Sequence, residues 1–398
     1  MVDVNDAVSE WASSGLAHLT GLPDGHPDFS RANVLIRAQQ VAAAVESRIG
    51  VAVDAATLLA GRAGLLGLVR AGRRSAGGGT RMLAARDGWC AITLSRPDDV
   101  AAVPALLEVD DTPVDPWPLL AHWAATHPVS AIVERAGLLD IPAAGLGEAA
   151  AAPPRVHRTG TRAPGRDLAG LLVADLSSMW AGPLCGHLLA RAGARVVKVE
   201  SPRRPDGTRA GNGAFFDWMN GGKLFYCLDF DRDAGELREL LSAADIVIEG
   251  SRPAALARRH LGPEYVAPRA GRIWLRINGY AADPGRPAFG DDAAVAGGLV
   301  GTTAEGPVFC GDAIADPLTG LQAASALTES LGRGGGEVIE LSMAAVAASY
   351  AALPAVAPVS EHPAPAPRVP QPCSQASASG ADNDAVRRLI AERRFLSC

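Results

Sequence analysis

The chain has 398 residues, 48% of them hydrophobic and 20% charged, which predicts a folded protein of two or three domains. Its net charge of -6 argues against a nucleic-acid partner, because such proteins carry a basic field. No stretch approaches the roughly 20 uninterrupted apolar residues of a membrane span, and the acidic amino terminus is unlike a signal peptide. We therefore expect a cytoplasmic enzyme or binding protein with no membrane partner.

Two proline-rich stretches, around residues 150 to 166 and 358 to 380, predict linkers or wrapping arms. They divide the chain into a first block of residues 1–150, a linker of residues 151–166, a second block of residues 167–352, and a tail of residues 353–398. The cysteines show no C-x-x-C spacing, which predicts reduced thiols and no metal site. These cysteines are Cys90, Cys185, Cys227, Cys310, Cys373 and Cys398.

The second block alternates short apolar runs with helical stretches. The runs Leu171 to Ala174, "ARVVKVE", "KLFYCLDF", "ADIVIEG" and "GRIWLRINGY" are typical of buried strands, and "DAGELRELLSA" is typical of a helix. This alternation predicts a doubly wound parallel sheet with a ligand at the carboxyl ends of its strands. The first strand is followed by "DLSSMWAGP" and not by G-x-G-x-x-G, which argues against a dinucleotide cofactor.

Two acids precede the predicted helix in "CGDAIADPLTGLQAASALTES", residues 310–330. Asp312 or Asp316 could cap the helix, with Pro317 at the first helical position. A functional carboxylate is the other interpretation, and the stretch alone leaves both open. The later "GRGGG" lacks the Lys-Ser/Thr of a phosphate loop and predicts a turn.

A faint internal repeat relates the two blocks. "DAVSEWASSGLAHLTGLPDG" from Asp6 is similar to "DDAAVAGGLVGTTAEGP" from Asp291. Counting back from the shared pairs Glu46-Ser47 and Glu329-Ser330 places Asn33 opposite Asp316. On this alignment the first copy has lost a carboxylate that the second copy keeps.

Five ordered stretches of the second block resemble the class III coenzyme A transferase family of the CaiB/BaiF type. These are "VADLSSMWAGPLCGHLLARAGARVVKVESP", "FFDWMNGGKLFYCLDF", "ADIVIEGSRP", "INGYAADPGRP" and "SLGRGGGEVIELSM". Residues 77–107 and 120–148 resemble the family's small domain, although in the family they follow the large domain. The resemblance implies a degenerate middle segment plus small domain in residues 1–150, a Rossmann-like CoA-binding catalytic domain in 167–352, and a proline-rich arm with a terminal helix. The implied fold is a doubly wound α/β domain plus a smaller α+β domain.

The family moves coenzyme A between carboxylic acids through an aspartyl anhydride and an aspartyl thioester. Its Asp-x-x-x-Gly spacing matches Asp316 and Gly320, which implies that Asp316 is the nucleophile and leaves Asp312 as a turn or capping residue. Coenzyme A and acyl-CoA are then substrates, with a carboxylate acceptor and no permanently bound cofactor. A homodimer is expected, possibly interlocked as in the family.

The resemblance also implies binding positions around the nucleophile. Each has a plain structural alternative: a tight turn, a solvated basic side chain, a core tyrosine or a hairpin. The positions are Ala181, Gly182, Pro183, Lys198, Arg258, Tyr280, Gly77, Gly78 and Gly79. Where the family has Asn, this chain has Gly250, which removes a polar contact expected for CoA.

Two other functions remain as alternatives. A 2-methylacyl-CoA racemase shares the family fold but uses a His in a "GHD" triplet, which here is Gly290-Asp291-Asp292. The rearranged order and the missing Asn would also fit a non-catalytic CoA-binding protein.

Overall fold

The described structure is a computed structural model that covers residues 4–111, 114–358 and 362–395. It begins with a helical segment, which we call the N-terminal helices. These are α1 (Val4–Ser13), α2 (Leu16–Leu19), α3 (Ala32–Ile49) and α4 (Ala55–Leu66). Next comes the small domain, in which β1 pairs antiparallel with β2, and β2 with β3. Its elements are β1 (Thr80–Ala85), β2 (Gly88–Thr93), α5 (Pro97–Ala101), α6 (Val103–Leu107), α7 (Trp117–Thr126), α8 (Val129–Leu138) and β3 (Ala143–Gly145).

The large domain follows and alternates strands with helices. Its first part contains β4 (Arg155–Arg158), β5 (Leu172–Asp175), α9 (Ala181–Arg191), β6 (Arg195–Glu200), a 3-10 turn (Gly207–Ala210), α10 (Gly213–Asn220), β7 (Leu224–Cys227), α11 (Ala234–Ala243), β8 (Ile246–Glu249), α12 (Pro253–Ala257) and β9 (Ile273–Asn278). Its second part contains α13 (Gly290–Ala296), β10 (Val300–Thr303), β11 (Gly306–Phe309), α14 (Ala315–Gly332), β12 (Glu337–Ser342) and α15 (Met343–Ala351), and the described chain ends with α16 (Asn383–Phe395).

Among the described residues, the main sheet has the strand order β4-β12-β9-β8-β5-β6-β7. All neighbours except β4 and β12 run parallel. The prediction of a doubly wound parallel sheet is therefore confirmed. The strand order reverses between β5 and β8, so the crevice beyond their carboxyl ends is where this architecture binds ligands.

The predicted linker of residues 151–166 is in part a strand. β4 pairs with β12 in the register Glu337 opposite Arg158, and the amides of Thr159 and Gly160 donate to the Gly336 carbonyl. An antiparallel edge strand satisfies backbone groups of β12 that an unstructured linker would leave open. The linker prediction is therefore corrected over residues 155–158.

The first block is not one packing unit. The N-terminal helices share a hydrophobic core with α9, α10, α14 and α15 of the large domain, including the fully buried Trp11, Leu35 and Leu59. The small domain has its own core, with Ile92, Leu106 and Leu120 at its centre. The predicted unit 1–150 thus divides, because the apolar faces of α1 to α4 are buried on the large domain.

Helices α3 and α14 agree with the internal repeat. Each has 18 residues, and Ala32 and Ala315 begin them at positions that the sequence alignment pairs. The two helices pack against each other in the shared core. Asn33 is the residue that the alignment pairs with Asp316. Its Nδ2 donates to the Pro354 carbonyl at 2.8 Å, which is a structural contact with the tail.

The tail wraps around the N-terminal helices before α16 packs on α11 and β7. A Cβ on Gly64 of α4 would lie 2.6 Å from the Arg368 carbonyl oxygen, and one on Gly15 would lie 2.5 Å from the Pro367 Cα. The arm therefore lies directly on the backbone of these helices. Cys398 lies outside the described residues, and no described helix has the length and apolar content to cross a membrane.

Two fully buried ion pairs fix the carboxyl ends of β5 and β6. Lys223 Nζ lies 2.9 Å from Asp175 Oδ2 at the end of β5, and it also donates to the Pro183 carbonyl and to Asn220. Lys198 of β6 pairs with Asp206 at 2.7 Å. Buried charges of this kind are tolerated because each keeps several hydrogen-bond partners. They hold the loop after β5 in one position at the crevice.

Lys223→Met should destabilise the protein by about 3–5 kcal/mol, because Asp175 would remain buried without its cation. Chemical denaturation followed by circular dichroism measures this change. The double variant Lys223→Met with Asp175→Asn should recover part of the loss. If the single variant unfolds at the same denaturant concentration as the parent, the ion pair does not hold this loop.

Candidate functional site

Asp316 lies in the first turn of α14, at the second position of the helix. The N-cap is Ile314, whose side chain makes no capping hydrogen bond, and Pro317 is the third helical residue. The predictions that Asp312 caps this helix and that Pro317 occupies its first position are therefore wrong. Asp316 keeps part of its surface open, whereas Asp312 is 1% exposed.

Gly320 allows α14 to lie close to α9. A Cβ on Gly320 would lie 2.6 Å from the Ala181 carbonyl oxygen and 2.8 Å from Leu184 Cδ2. Real Cβ atoms do not approach backbone oxygens this closely, so another residue would push the helices apart. One helical turn before Gly320, the same close approach brings Asp316 to the first turn of α9.

Two backbone amides act on the Asp316 carboxylate. They belong to Ala181, the first residue of α9, and Gly290, the first residue of α13. A Cβ on Gly290 would lie 2.4 Å from Asp316 Oδ2, so a side chain there would displace the carboxylate. Amides at helix starts have no partner within the helix and are suited to hold an anion.

Asp291, Asp312 and Asp316 form a group that we call the aspartate cluster. Asp291 accepts from the Ala313 amide at 3.0 Å and from Thr80 Oγ1 at 3.2 Å. Asp312 accepts from Arg62 of α4 at 2.6 Å and 2.7 Å, one contact to each carboxylate oxygen. Within the described residues, no three His, Cys, Asp or Glu side chains are placed to hold a metal ion.

Burial raises the pKa of every carboxyl in the aspartate cluster. The pKa of Asp316 rises to about 7, because burial and the charge of Asp291 outweigh Arg62 and the two amides. The pKa of Asp291 rises to about 6 through burial and the charge of Asp312, again opposed by Arg62. Asp316 therefore exchanges its proton near neutrality, in contrast to an exposed aspartate.

Asp292 lies beside the cluster but faces the small domain. Its Oδ1 accepts from Thr93 Oγ1 at 2.9 Å and from the Phe289 amide at 3.0 Å, while its Oδ2 is buried without a hydrogen-bond partner. Burial raises its pKa to about 7. A protonated Asp292 can stay in this position without an unpaired buried charge.

The predicted turn Ala181, Gly182 and Pro183 forms the start of α9, against the loop that follows β5. A Cβ on Gly182 would lie 2.2 Å from Ser177 Cβ, so glycine is needed for this contact. Ala181 therefore reaches the site through its amide. The structure places these residues directly behind the carboxylate of Asp316.

The predicted glycine loop also lies at the site. A Cβ on Gly77 would be 3.7 Å from Asp312 Oδ1 and 3.5 Å from Arg62. Gly78 has a φ of 81°, which favours glycine, and Gly79 packs against Ser95. Gly77, Gly78 and Gly79 thus form a tight turn over the Arg62–Asp312 pair.

The other three predicted positions lie apart from the aspartate cluster. Lys198 has no exposed surface and is paired with Asp206, so in this structure its ammonium group cannot meet a phosphate. Tyr280 is buried under the Arg286 guanidinium, 3.9 Å from the ring centroid, and contacts the small domain at Ala143. Arg258 is exposed just after α12, on the segment that follows β8. The prediction for Lys198 is corrected, and Arg258 is exposed to solvent.

The comparison with known families identifies the chain. The description "CoA-transferase family III" matches residues 168–379, just over half of the 398 residues. The chain belongs to CoA-transferase family III.

Individual relatives match part of the chain. An acyl-CoA transferase of Fusarium pseudograminearum is 32% identical in a match 188 residues long, and the match covers 41% of this chain and 41% of that protein. The succinate–glutarate CoA-transferase of Agrobacterium fabrum is 32% identical over 188 residues, 41% of this chain and 46% of the relative. The human alpha-methylacyl-CoA racemase is 35% identical over 115 residues, 28% of each chain. The chain spans less than half the length of these relatives.

A solved structure of a CaiB/BaiF family protein from Brucella suis is 29% identical and covers 48% of this chain and 56% of its own. Its TM-score is 0.42, a value too low to compare the two structures in detail.

Sequence reasoning within CoA-transferase family III missed Arg62 and Asp291 as members of the site. Asp291 was noted as part of the triplet Gly290-Asp291-Asp292, without a role. Arg62 lies in α4, outside the matched residues 168–379, and no motif surrounds it. The signal available in the sequence is a lone arginine in an alanine-rich helix. Only the packing of that helix on the large domain shows where the arginine lies.

Gly320→Ala should lower the rate of any reaction at Asp316 because the methyl group would move α14 away from Ala181. We expect a loss of about 1–3 kcal/mol in stability as well. Thermal unfolding and a fluorescence titration with coenzyme A would separate the two effects. Gly332→Ala, at the other end of α14 with no atom within 4 Å of the new Cβ, is the matched control and should resemble the parent protein.

Proposed function

We propose that this chain is an acyl-CoA:carboxylate CoA transferase in which Asp316 is the nucleophile. The observation that supports this most directly is the place of Asp316, a partly exposed residue in the first turn of α14 whose carboxylate interacts with the amides of Ala181 and Gly290 at two helix starts. Membership of CoA-transferase family III and the similarity to an acyl-CoA transferase and a succinate–glutarate CoA-transferase support the reaction class.

In the first step, an oxygen of ionised Asp316 attacks the thioester carbon of the donor acyl-CoA. The carbon–sulfur bond breaks, the CoA thiolate leaves with the electron pair, and an acyl-aspartyl anhydride remains. The amides of Ala181 and Gly290 interact with the attacking carboxylate, so they can stabilise the oxyanion that forms on Asp316 when its own carbonyl is attacked in the next step.

The thiolate then attacks the aspartyl carbonyl of the anhydride. This releases the donor acid as a carboxylate and leaves CoA bound to Asp316 as a thioester. The acceptor carboxylate attacks this thioester, regenerates a thiolate and forms a second anhydride. Attack of the thiolate on the acceptor's carbonyl releases the new acyl-CoA and restores ionised Asp316, so atoms and charge balance.

Water must be kept from both anhydrides, since hydrolysis would waste the thioester. The tight turn of Gly77, Gly78 and Gly79 lies over the Arg62–Asp312 pair and can cover the site from the small-domain side. Arg252 of the large domain pairs with Asp140 of the small domain at 2.7 Å, which supports a closed cleft between the two. A coenzyme A molecule would enter from the crevice beyond β5 and β8, where Arg258 is exposed.

A second candidate is exchange of the proton on the carbon next to the thioester. The observation that favours it is Asp291, whose pKa of about 6 lets a carboxylate accept a proton near neutrality. The human racemase among the relatives supports the same chemistry. The absence of a histidine in the triplet Gly290-Asp291-Asp292 makes transfer the preferred function.

Hydroxylamine trapping tests the role of Asp316. After incubation with a panel of acyl-CoA donors of different length and charge, peptide mass spectrometry should find a hydroxamate on Asp316. Asp316→Asn should remove this product and lower transfer by at least about 10³-fold, since the nucleophile is gone. Asp115→Ala, which removes an exposed carboxylate at the start of α7, is the matched control and should retain transfer.

Three results would contradict this assignment. A hydroxamate on another residue would identify that residue, and not Asp316, as the nucleophile. Exchange of the α-proton in deuterium oxide without any hydroxamate would favour the racemase chemistry. Binding of coenzyme A without either reaction would favour a non-catalytic protein.

The rate of Asp316 acylation should rise with pH and level off above neutrality. The ionised carboxylate is the nucleophile and its pKa is about 7, so the midpoint should lie near pH 7, with about tenfold loss per unit well below it. Single-turnover release of CoA, followed with a thiol reagent that works over this range, measures the profile. A midpoint near pH 4 would mean that burial does not control the pKa of Asp316.

Assembly as a homodimer stays a prediction, which mass measurement in solution would test.

A further inference from the structure

The aspartate cluster holds more negative than positive charge when its carboxyl groups are ionised. Asp291, Asp312 and Asp316 carry three negative charges when ionised, and burial raises the pKa of each. One cation, Arg62, opposes that rise at all three positions. The other groups that act on Asp316 are the charge of Asp291 and the amides of Ala181 and Gly290.

Arg62 is held firmly in place. Its guanidinium contacts both oxygens of Asp312 at 2.6 Å and 2.7 Å. The rings of Trp180 and Phe215 lie on it, each with its centroid 5.6 Å from the guanidinium carbon. Its side chain is 25% exposed, so solvent screens its charge only in part. A cation held between aromatic rings and a buried carboxylate has little freedom to leave.

Arg62 reaches the site from a different part of the chain. It belongs to α4, whereas Trp180 precedes α9 and Asp312 precedes α14. A Cβ on Gly61 would lie 2.8 Å from Trp218, and one on Gly64 would lie 2.6 Å from the Arg368 carbonyl oxygen. The glycines on both sides of Arg62 thus allow α4 to press between α10 and the tail, which places the guanidinium over the site.

We propose that Arg62 is the positioning residue that keeps Asp316 ionised for attack on the thioester, an inference that rests on the proposed function. It acts through its charge, which Asp312 holds in place, and it does not itself form a bond to substrate. The N-terminal helices, which lie outside the region matched by the family, thereby become part of the reaction centre.

The sign of the effect follows from the contacts. Without Arg62, the negative charge of Asp291 is less balanced, so protonation of Asp316 becomes easier and its titration moves to higher pH. An opposite charge next to a carboxyl group changes its pKa by about one to three units. A move of about one unit would reduce the ionised fraction at pH 7 from about one half to about one tenth. The rate lost at pH 7 should therefore return as the pH is raised.

The test compares Arg62→Gln, Arg62→Lys and the parent chain. Each is labelled with carboxyl-¹³C aspartate, and the Asp316 signal, assigned with Asp316→Asn, is titrated in the absence of substrate. CoA release is then measured over the same pH range. Arg48→Gln is the matched control, since it removes a guanidinium on α3 that pairs with Glu329 of α14 at 3.2 Å but lies outside the aspartate cluster.

We expect the Asp316 midpoint and the acid limb of the rate to rise together by about one unit or more in Arg62→Gln. Arg62→Lys keeps the charge and should fall between Arg62→Gln and the parent, while Arg48→Gln should match the parent. An unchanged Asp316 midpoint in Arg62→Gln would overturn the inference, as would a loss of rate that is equal at every pH. If the parent chain is never acylated, the proposed function fails, yet the carbon titration still decides whether Arg62 controls Asp316.

Discussion

The site depends on how closely the first turn of α14 approaches the first turn of α9. Gly320 permits this approach because a Cβ there would lie 2.6 Å from the Ala181 carbonyl oxygen. Gly182 permits α9 to lie against the loop after β5, and Gly290 leaves room for the Asp316 carboxylate beside α13. Three glycines on three helices therefore allow the close packing that positions Asp316. The Asp-x-x-x-Gly spacing has a mechanical reason, since the glycine lies one turn from the carboxylate that it brings into contact.

Electrostatics divides the crevice into a fixed part and a titrating part. In the fixed part, Asp175 with Lys223 and Asp206 with Lys198 are fully buried pairs, each with further hydrogen bonds, and the pKa of both acids is lowered by these cations. In the titrating part, several acids share Arg62, and the pKa of Asp316 rises to about 7. The first arrangement holds a loop, and the second leaves a carboxylate able to change its protonation state. Lys198 thus helps to hold the loop beside the site through its pair with Asp206, and it is not available to a ligand.

Much of the large domain could be predicted from the sequence, because its strands are continuous apolar runs and its helices carry a helical period. β6, β7, β8 and β9 lie within runs named from the sequence, and β5 extends one residue beyond its run, to Asp175. β4 could not be predicted, because Arg155, Val156, His157 and Arg158 are exposed and gain their strand structure from pairing with β12. The position of α1 to α4 on the large domain was also hidden, since an apolar helix face does not name the surface that covers it. Asp316 and Gly320 were expected from the resemblance to the family's Asp-x-x-x-Gly spacing, whereas Arg62 depends on a contact between residues 250 positions apart.

The paired helices α3 and α14 show how one chain can hold two related segments and a single arrangement of reactive groups among its described residues. With the register of the repeat, Asn33 lies opposite Asp316, Arg37 opposite Gly320, and Phe29 opposite Asp312. An amide cannot act as the carboxylate nucleophile, and a long side chain at position 37 would prevent the close approach that Gly320 permits. Phe29 is 2% exposed and belongs to the shared core, so the position that aligns with the buried Asp312 holds a core side chain. The first segment therefore lacks the carboxylate and the glycine found in α14, while the α4 that follows it supplies the guanidinium that pairs with Asp312.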